Sequence, residues 1–456
     1  MRSMLPPAIL LPALLAPPAA AEDGLLHERL GAPDALRIEG SVRARLEGID
    51  GHFRPAPAPD SDALLLLRTT LLAEYDSGPV LIGGEIIDAR AYAQGDGRLV
   101  TTTEVNALEL SQAYLGFDLG GALGAGSTTS LTAGRFTQDI GSRRLVARNA
   151  FRNTINAFTG VRLDWQDAAK NSLRAFWTMP HYRLPDDAAG IADNAVRWDR
   201  ESPDLRFFGA SFVKSGVLGG TLEFYGYGLA ERDGGRFLTR NRRLFTPGLR
   251  FHARPAAGKF DHDVEFAYQT GHARATTAAS DVADLPVRAW FLHAEAGRSV
   301  DAAWSPRVSL LYDHGSGDGR GRRYTRFDTL FGARRWEYGP TSLYGALQRS
   351  NMISPGVRLE VAPDTRWDGF LLYRAAWLDK AGDSFATTSV RDARGASGRF
   401  AGHQIELRVR YWLIPKLAQI DSGATLLLKG RFLRDAPNAP DAGDTRYGYT
   451  SVTFSF

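Results

Sequence analysis

Apolar and polar residues alternate one for one along much of the chain, and the two sides of each alternating segment differ in character. The clearest case runs from Leu36 to Glu47, where Leu36, Ile38, Val42, Ala44 and Leu46 interleave with Arg37, Glu39, Ser41, Arg43, Arg45 and Glu47. Residues 404–411 repeat it, with Ile405, Leu407, Val409 and Tyr411 set against Gln404, Glu406, Arg408 and Arg410. A period of two marks a β-strand with unlike faces. A strand crosses the hydrocarbon of a bilayer in about 9–11 residues, the length seen here. An arginine facing lipid at mid-depth costs about 2–4 kcal/mol, so the alternation also decides which face is wet.

About eighteen such segments follow one another, an even number as expected of a bacterial barrel. Their cores lie near 36–47, 63–75, 80–92, 106–119, 128–139, 156–166, 171–180, 204–213, 220–230, 244–254, 260–270, 286–297, 304–313, 354–362, 368–378, 402–413, 418–432 and 445–456. The connections alternate in length. The loop from Ile49 to Asp62 is long and the turn Ser77-Gly78-Pro79 short; Ala93 to Glu104 is long, and a Gly-rich turn follows at Gly120 to Gly126. The last pair is Ile414-Pro415-Lys416, short, and Arg434 to Asp444, long. Sorting of connections by parity fits long extracellular loops and short periplasmic turns, with both termini in the periplasm. The sequence therefore predicts an all-β transmembrane antiparallel barrel over residues 36–456. Trp165, Trp177, Tyr312, Tyr373, Trp377, Tyr411 and Trp412 sit near strand ends, where interfacial aromatics belong.

The two ends agree with export. Arg2, the apolar stretch from Leu5 to Leu15 and the small residues Ala19-Ala20-Ala21 read as a signal peptide over residues 1–21. A periplasmic segment at 22–35 then precedes the first strand. No later run of about twenty apolar residues occurs, which excludes helical spans. Roughly 435 mature residues would normally divide into two or three domains, yet no linker-like composition shift is found. At the far end Val452, Phe454 and Phe456 alternate with Ser451, Thr453 and Ser455. A terminal phenylalanine on such a strand resembles the signature of outer-membrane barrels and makes the barrel-assembly machinery an expected partner through the Phe456 strand, with outer-membrane lipid around the wall.

Composition removes several function classes. There are no cysteines, hence no disulfide, thiolate metal site or cysteine nucleophile. The net charge of +4 is spread along the chain and gives no footing for nucleic-acid binding. No Gly-x-Ser-x-Gly occurs, and no histidine shares a wall with a serine in a way that suggests an enzyme. Neither a cofactor nor a metal is expected: Tyr312 to Gly321 lacks calcium-loop spacing and reads as a flexible outer loop, and Asp261-His262-Asp263 reads as a hydrated strand end. An adhesin that uses the basic loops Glu231 to Arg243 and Asp313 to Asn351 is a third class; it requires a plugged or neutral lumen.

Six segments carry a family resemblance: Gly84-Glu-Ile-Ile-Asp-Ala-Arg-Ala-Tyr92, Leu108-Glu-Leu-Ser-Gln-Ala-Tyr-Leu-Gly-Phe117, Gly134-Arg-Phe-Thr-Gln-Asp-Ile-Gly141, Arg152-Asn-Thr-Ile-Asn-Ala-Phe-Thr-Gly-Val-Arg162, Phe327-Asp-Thr-Leu-Phe-Gly332 with Asn351 beyond it, and Gly402-His-Gln-Ile-Glu-Leu-Arg-Val-Arg410. Together they span nearly the whole mature chain, and it resembles the alginate-export family of outer-membrane porins. The resemblance implies an eighteen-stranded monomeric barrel whose electropositive constriction passes an anionic polyuronate. The alginate exporter itself has an extended periplasmic connection late in the chain that acts as a lid; the short turn at Ile414 to Lys416 departs from it.

Arginine supplies all but six of the 55 basic residues, and its planar guanidinium binds carboxylates in bidentate fashion. Alternation places Arg43, Arg45, Arg162, Arg174, Arg250, Arg358, Arg408, Arg410, Lys429 and Arg431 on the wet face. The lipid penalty assigns Arg68, Arg90 and Arg135 there too. Glu39, Glu47, Asp164, Glu265, Glu360 and Glu406 share that face, so a surplus of cations is expected. Pairs such as Arg43 with Arg45 lie ~6.5–7 Å apart along a strand, a ladder for successive carboxylates. Shallow multi-site binding suits conduction. The expected cargo is an anionic polysaccharide, or else small anions such as organic acids or oligouronates. The competing reading is that these arginines pair with the lumen acids and hold the wall together.

Overall fold

The structure is a computed structural model describing residues 31–95, 97–234, 238–319 and 321–456. The expected signal peptide, 1–21, and residues 22–30 of the expected periplasmic segment lie outside the described residues. Eighteen strands form one sheet: β1 (Leu36–Asp50), β2 (Asp62–Asp76), β3 (Val80–Ala93), β4 (Asn106–Gly120), β5 (Thr128–Phe136), β6 (Phe158–Gln166), β7 (Ser172–Pro180), β8 (Leu205–Val217), β9 (Gly220–Glu231), β10 (Arg243–Ala253), β11 (Phe260–Ala273), β12 (Leu285–Ser299), β13 (Arg307–Gly315), β14 (Met352–Val361), β15 (Trp367–Trp377), β16 (Phe400–Ile414), β17 (Ala418–Lys429) and β18 (Thr445–Ser455). Each pairs with its sequence neighbours, and β1 pairs antiparallel with β18 from Ser41 opposite Ser455 to Asp50 opposite Arg446, which closes the barrel. Among the described residues three short helices interrupt the loops: α1 (Ala188–Ala192), α2 (Arg335–Tyr338) and α3 (Arg431–Asp435). No helix of the described residues is long and apolar enough to cross a membrane; the chain crosses with strands.

The alternation read from sequence is the alternation of the wall. In β1, Val42 and Leu46 are exposed on the outside while Arg43, Arg45 and Glu47 are buried within. Closure ends in a tight fit. Gly40 donates to the Phe456 carbonyl at 2.7 Å and accepts from the Phe456 amide at 2.9 Å. The Phe456 ring occupies the space a Cβ on Gly40 would need, so a larger side chain there displaces the terminal ring.

Two expectations are corrected. The strand expected over 418–432 ends at Lys429, and Arg431 opens α3, exposed, beside Asp435 at 3.4 Å. Gly430 breaks the extended run, so alternation no longer tells where Arg431 points. The supposed outer loop from Tyr312 is also different: β13 continues to Gly315, and Asp313 is fully buried between His293 and Arg374, each at 2.8 Å.

The long loops fold inward. Phe53, Leu343, Tyr344, Leu347, Phe385 and Phe432 from four loops pack on lumen-facing Leu64, Leu66, Ala91 and Tyr447. Across the barrel, Ile140, Leu145, Val146, Tyr324 and Phe327 pack on Phe158, Phe207, Leu229 and Phe291. Burying each such leucine or phenylalanine contributes about 1.5–3 kcal/mol toward holding the loops in the lumen. The interior thus holds two large apolar cores with a polar gap between them, beside two small clusters at Ile87, Ala89 and Ile155 and at Leu311, Phe370 and Leu372.

Candidate functional site

Most arginines expected on the wet face do point inward, and the structure shows what they hold. Arg162 and Arg174 share Asp164 at 2.7 and 2.5 Å, and Arg135 bonds Glu109 at 2.6 Å and Glu201 at 3.2 Å. Arg90 is a correction: Glu85, Ile87, Ala89 and Ala91 take the inner face of β3, so Arg90 shares the outer face with exposed Ile82, Ile86 and Tyr92 and pairs there with Asp88 at 2.9 Å. Arg250 lies on Asp263 at 2.7 Å, Arg408 on Asp421 at 2.5 Å and Arg410 on Asp368 at 2.9 Å. Lys429 donates to the carbonyls of His52 and Ala442, and Arg358 to that of Trp336. The expected surplus of wall cations is not found. Glu74, Glu85, Glu109, Glu223, Asp261, Asp263, Glu295, Asp313, Asp368 and Asp421 also belong to the strands and are buried or half-buried. Asp261 and Asp263 are dry, not hydrated, and bond Arg307 and Arg250, while His262 packs at a tilt against Phe251 outside that pair.

Arg43 and Arg68 do something else, and Arg45 joins them while also pairing with buried Glu47 at 2.8 Å. Arg43 donates to the carbonyls of Ala150, Phe151 and Arg152, Arg68 to those of Ala150 and Arg152, and Arg45 to that of Phe151. Asn153 ties the same segment to the carbonyls of Leu67, Arg90 and Glu104. The segment 150–153, within the β5–β6 loop, is therefore strapped to the wall by its backbone, with the Arg152 side chain turned to the other side. The β13–β14 loop meets this loop inside the barrel: Val146 bridges Phe331, and Arg144 bonds Asp263, Glu265 and Glu337 at 2.6–2.9 Å. Gly332 lies against the Arg144 carbonyl where a Cβ has no room.

Between the two cores lies a cavity of about 560 Å3 lined by Arg54, Arg98, Glu104, Asn149, Arg152, Asn156, His181, Arg183, Arg334, Thr341 and Arg349, among others. These come from five loops and none was singled out by strand alternation. Loops have no periodicity to read; the only signal was the Arg152–Arg162 segment of the family resemblance. Arg54, Arg152, Arg183 and Arg334 have no carboxylate within ion-pair distance among the described residues. Arg54 donates to the Leu343 and Tyr344 carbonyls, Arg152 and Arg183 share Asn156 Oδ1, and Arg334 reaches Gln348 at 3.1 Å.

Burial and mutual repulsion both weigh on these groups. Burial, then Arg183 and Arg334, push the Arg152 pKa well down; burial, then Arg54 and Arg349, bring Arg334 to about 10. Burial also lowers Arg54 and Arg183. His181, buried and near Arg135, falls to about 3 and is neutral at physiological pH. Asn149 Oδ1, Arg152 Nε, His181 Nδ1, Thr341 Oγ1 and Arg349 Nε are buried and make no hydrogen bond. A buried polar atom without a partner is costly unless a ligand or water completes it. Clustered cations with spare donors and acceptors can take up a carboxylate that carries hydroxyls.

The sequence profile of alginate export matches residues 34–444, nine-tenths of the chain. The chain belongs to the alginate export family. With the closed barrel this makes it a pore of the Gram-negative outer membrane rather than an enzyme. No curated protein matches it in sequence. Among solved structures it is similar to Pseudomonas aeruginosa OccK2 (OpdF) in complex with glucuronate, at 12% identity over 92% of this chain and 98% of that one, TM-score 0.55. Acinetobacter baumannii OccAB1 is similar at 13% identity over 93% and 97%, TM-score 0.55. Pseudomonas aeruginosa OccD3 (OpdP) is similar at 14% over 93% and 91%, TM-score 0.54. At these identities the likeness is one of fold.

Proposed function

We propose that the pore is anion-selective and passes an anionic, alginate-like polysaccharide through the loop-lined cavity between the two apolar cores. Arg54, Arg152, Arg183 and Arg334 are the cations that meet the cargo, and the observation that carries the reading is that they share one cavity without a carboxylate partner. A carboxylate entering there satisfies spare guanidinium donors, while its hydroxyls find Asn149 and Thr341. Passage is passive, so direction follows the gradient. Family membership supports the polymer. A second reading, uptake of small organic acids or oligouronates, is favoured by the inward loops and the cavity volume, which lies in the roughly 300–1,000 Å3 range of small-ligand sites. Glucuronate in the OccK2 structure supports a uronate in either case. Zero-current potential across a planar bilayer under a salt gradient tests selectivity: anion preference with block by uronate oligomers is expected, and cation preference rejects the proposal. Block by monomer alone leaves the second reading.

A further inference from the structure

Among the described residues Glu104 is the single carboxylate on the cavity wall, and its position is unusual for a buried acid among arginines. Its side chain is almost fully buried, yet no guanidinium among the described residues lies within ion-pair distance of it. Its oxygens are instead taken by its own turn. The Thr101 amide and hydroxyl donate to Oε2 at 2.9 and 2.8 Å, and the Thr103 hydroxyl donates to Oε1 at 2.5 Å. The turn is anchored in its place by Asn153, which donates to the Glu104 carbonyl at 2.8 Å, and by Thr154, which bonds the carbonyls of Thr102 and Thr103. Arg183 also donates to the Thr102 carbonyl at 2.9 Å. The carboxylate is therefore fixed at a set distance from the cations and cannot swing across to bridge them.

At that distance its charge still reaches them. The field of Glu104 stabilises the charged forms of Arg54, Arg152 and Arg183 alike. Arginines crowded into one cavity with no counter-charge would repel one another and hold any entering anion too tightly to release it. A contacting carboxylate would instead occupy the donors the cargo needs. One carboxylate out of contact avoids both outcomes: the guanidiniums keep open N–H groups, and the attraction felt by a passing anion is partly offset.

We infer that Glu104 is the specificity-determining residue that sets how long an anionic cargo dwells among Arg54, Arg152 and Arg183, acting as a fixed internal counter-charge. The inference rests on the proposed anion-selective reading of the same cavity. It assigns Glu104 no contact with the cargo of its own; it acts through the three arginines.

The test is single-channel recording of the full-length barrel with glucuronate as the probe, on wild type and Glu104→Gln, after heat-modifiable gel mobility shows both folded. Gln keeps the shape and can still accept from the threonine hydroxyls. The expected result is a dwell time about tenfold longer in Glu104→Gln, half-block at correspondingly lower glucuronate, and a zero-current potential shifted further toward anions. Glu104→Asp, which keeps the charge but draws back from Thr103, is expected to hold the wild-type potential. Glu104→Ser supplies the neutral variant if Gln does not fold. Equal dwell and potential in wild type and the neutral variant overturn the inference while leaving an anion-selective pore. A shift in Glu104→Asp as large as in Glu104→Gln overturns it in favour of a purely structural turn. A wild type without anion preference overturns both the pore reading and this one.

Discussion

The arginines of the wall and those of the cavity present the same chemical group in opposite states. Arg144, reaching from its loop to the wall, is surrounded by Asp263, Glu265 and Glu337, and Arg408 lies flat on Asp421 through two nitrogens. Around Arg152 and Arg334, a few residues along the same two loops, the partners are amides and the nearest charges are other guanidiniums. A buried pair broken on one side leaves an uncompensated charge, whereas a buried cation without a partner is an open valence. The first set holds the loops indoors; the second is what that architecture makes available.

The comparison can be broken in a graded series. Arg144→Ala strands three carboxylates and is expected to lower barrel stability by about 3–5 kcal/mol, read from the denaturant midpoint in detergent. The double change Arg408→Glu with Arg410→Glu sets new acids against Asp421 and Asp368 and is expected to cost about 2–4 kcal/mol in the same assay. Its anion-to-cation permeability ratio should fall by less than that of the cavity variant, since neither residue lines the cavity. Arg152→Glu with Arg334→Glu should do the reverse: folding intact, and the permeability ratio lowered by about tenfold, equivalent to ~1.4 kcal/mol. If the Arg408 and Arg410 variant changes selectivity more than the Arg152 and Arg334 variant, the division between the two sets is wrong.

The smallest effect concerns the seat of the β7–β8 loop. Burial, then the neighbouring Glu109, raises Asp199 to about 7, and it also accepts from the Leu184 amide and Asn106. A carboxyl raised in the folded state binds its proton more readily there than in the unfolded chain, so its seating is firmest below neutrality and weakens as pH rises toward about 7. Protection factors in residues 181–204, taken relative to the intrinsic exchange rate at each pH, should be higher at pH 5 than at pH 8 by about fivefold, and Asp199→Asn should remove the difference.

The barrel itself was legible because lipid and water impose their demands on every second residue. Strand positions, strand number and the parity of the loops all follow from that rule, and β1 and β16 follow it residue for residue. What the rule cannot reach is pairing. Arg43 and Arg408 look alike in sequence, yet one binds loop carbonyls and the other Asp421, because their partners arrive from distant segments. Leu64 and Leu66, within the run Leu64 to Leu67, gave no hint of which leucines face the lumen until Phe53, Leu343 and Tyr344 were seen to cover them. Arg431 was misplaced since Gly430 ends the alternation one residue before it. The cavity arginines escaped notice for the same reason: in loops, neighbours are set by the fold as a whole.

The inward fold of the long loops also shapes how the cell is seen from outside. Residues that in another barrel would stand above the membrane, such as Leu343, Tyr344 and Phe385, are buried below the rim. Among the described residues the uninterrupted exposed run in the β11–β12 connection, 275–280, is the surface this loop offers to an antibody or a phage tail, well apart in sequence from the residues that line the cavity.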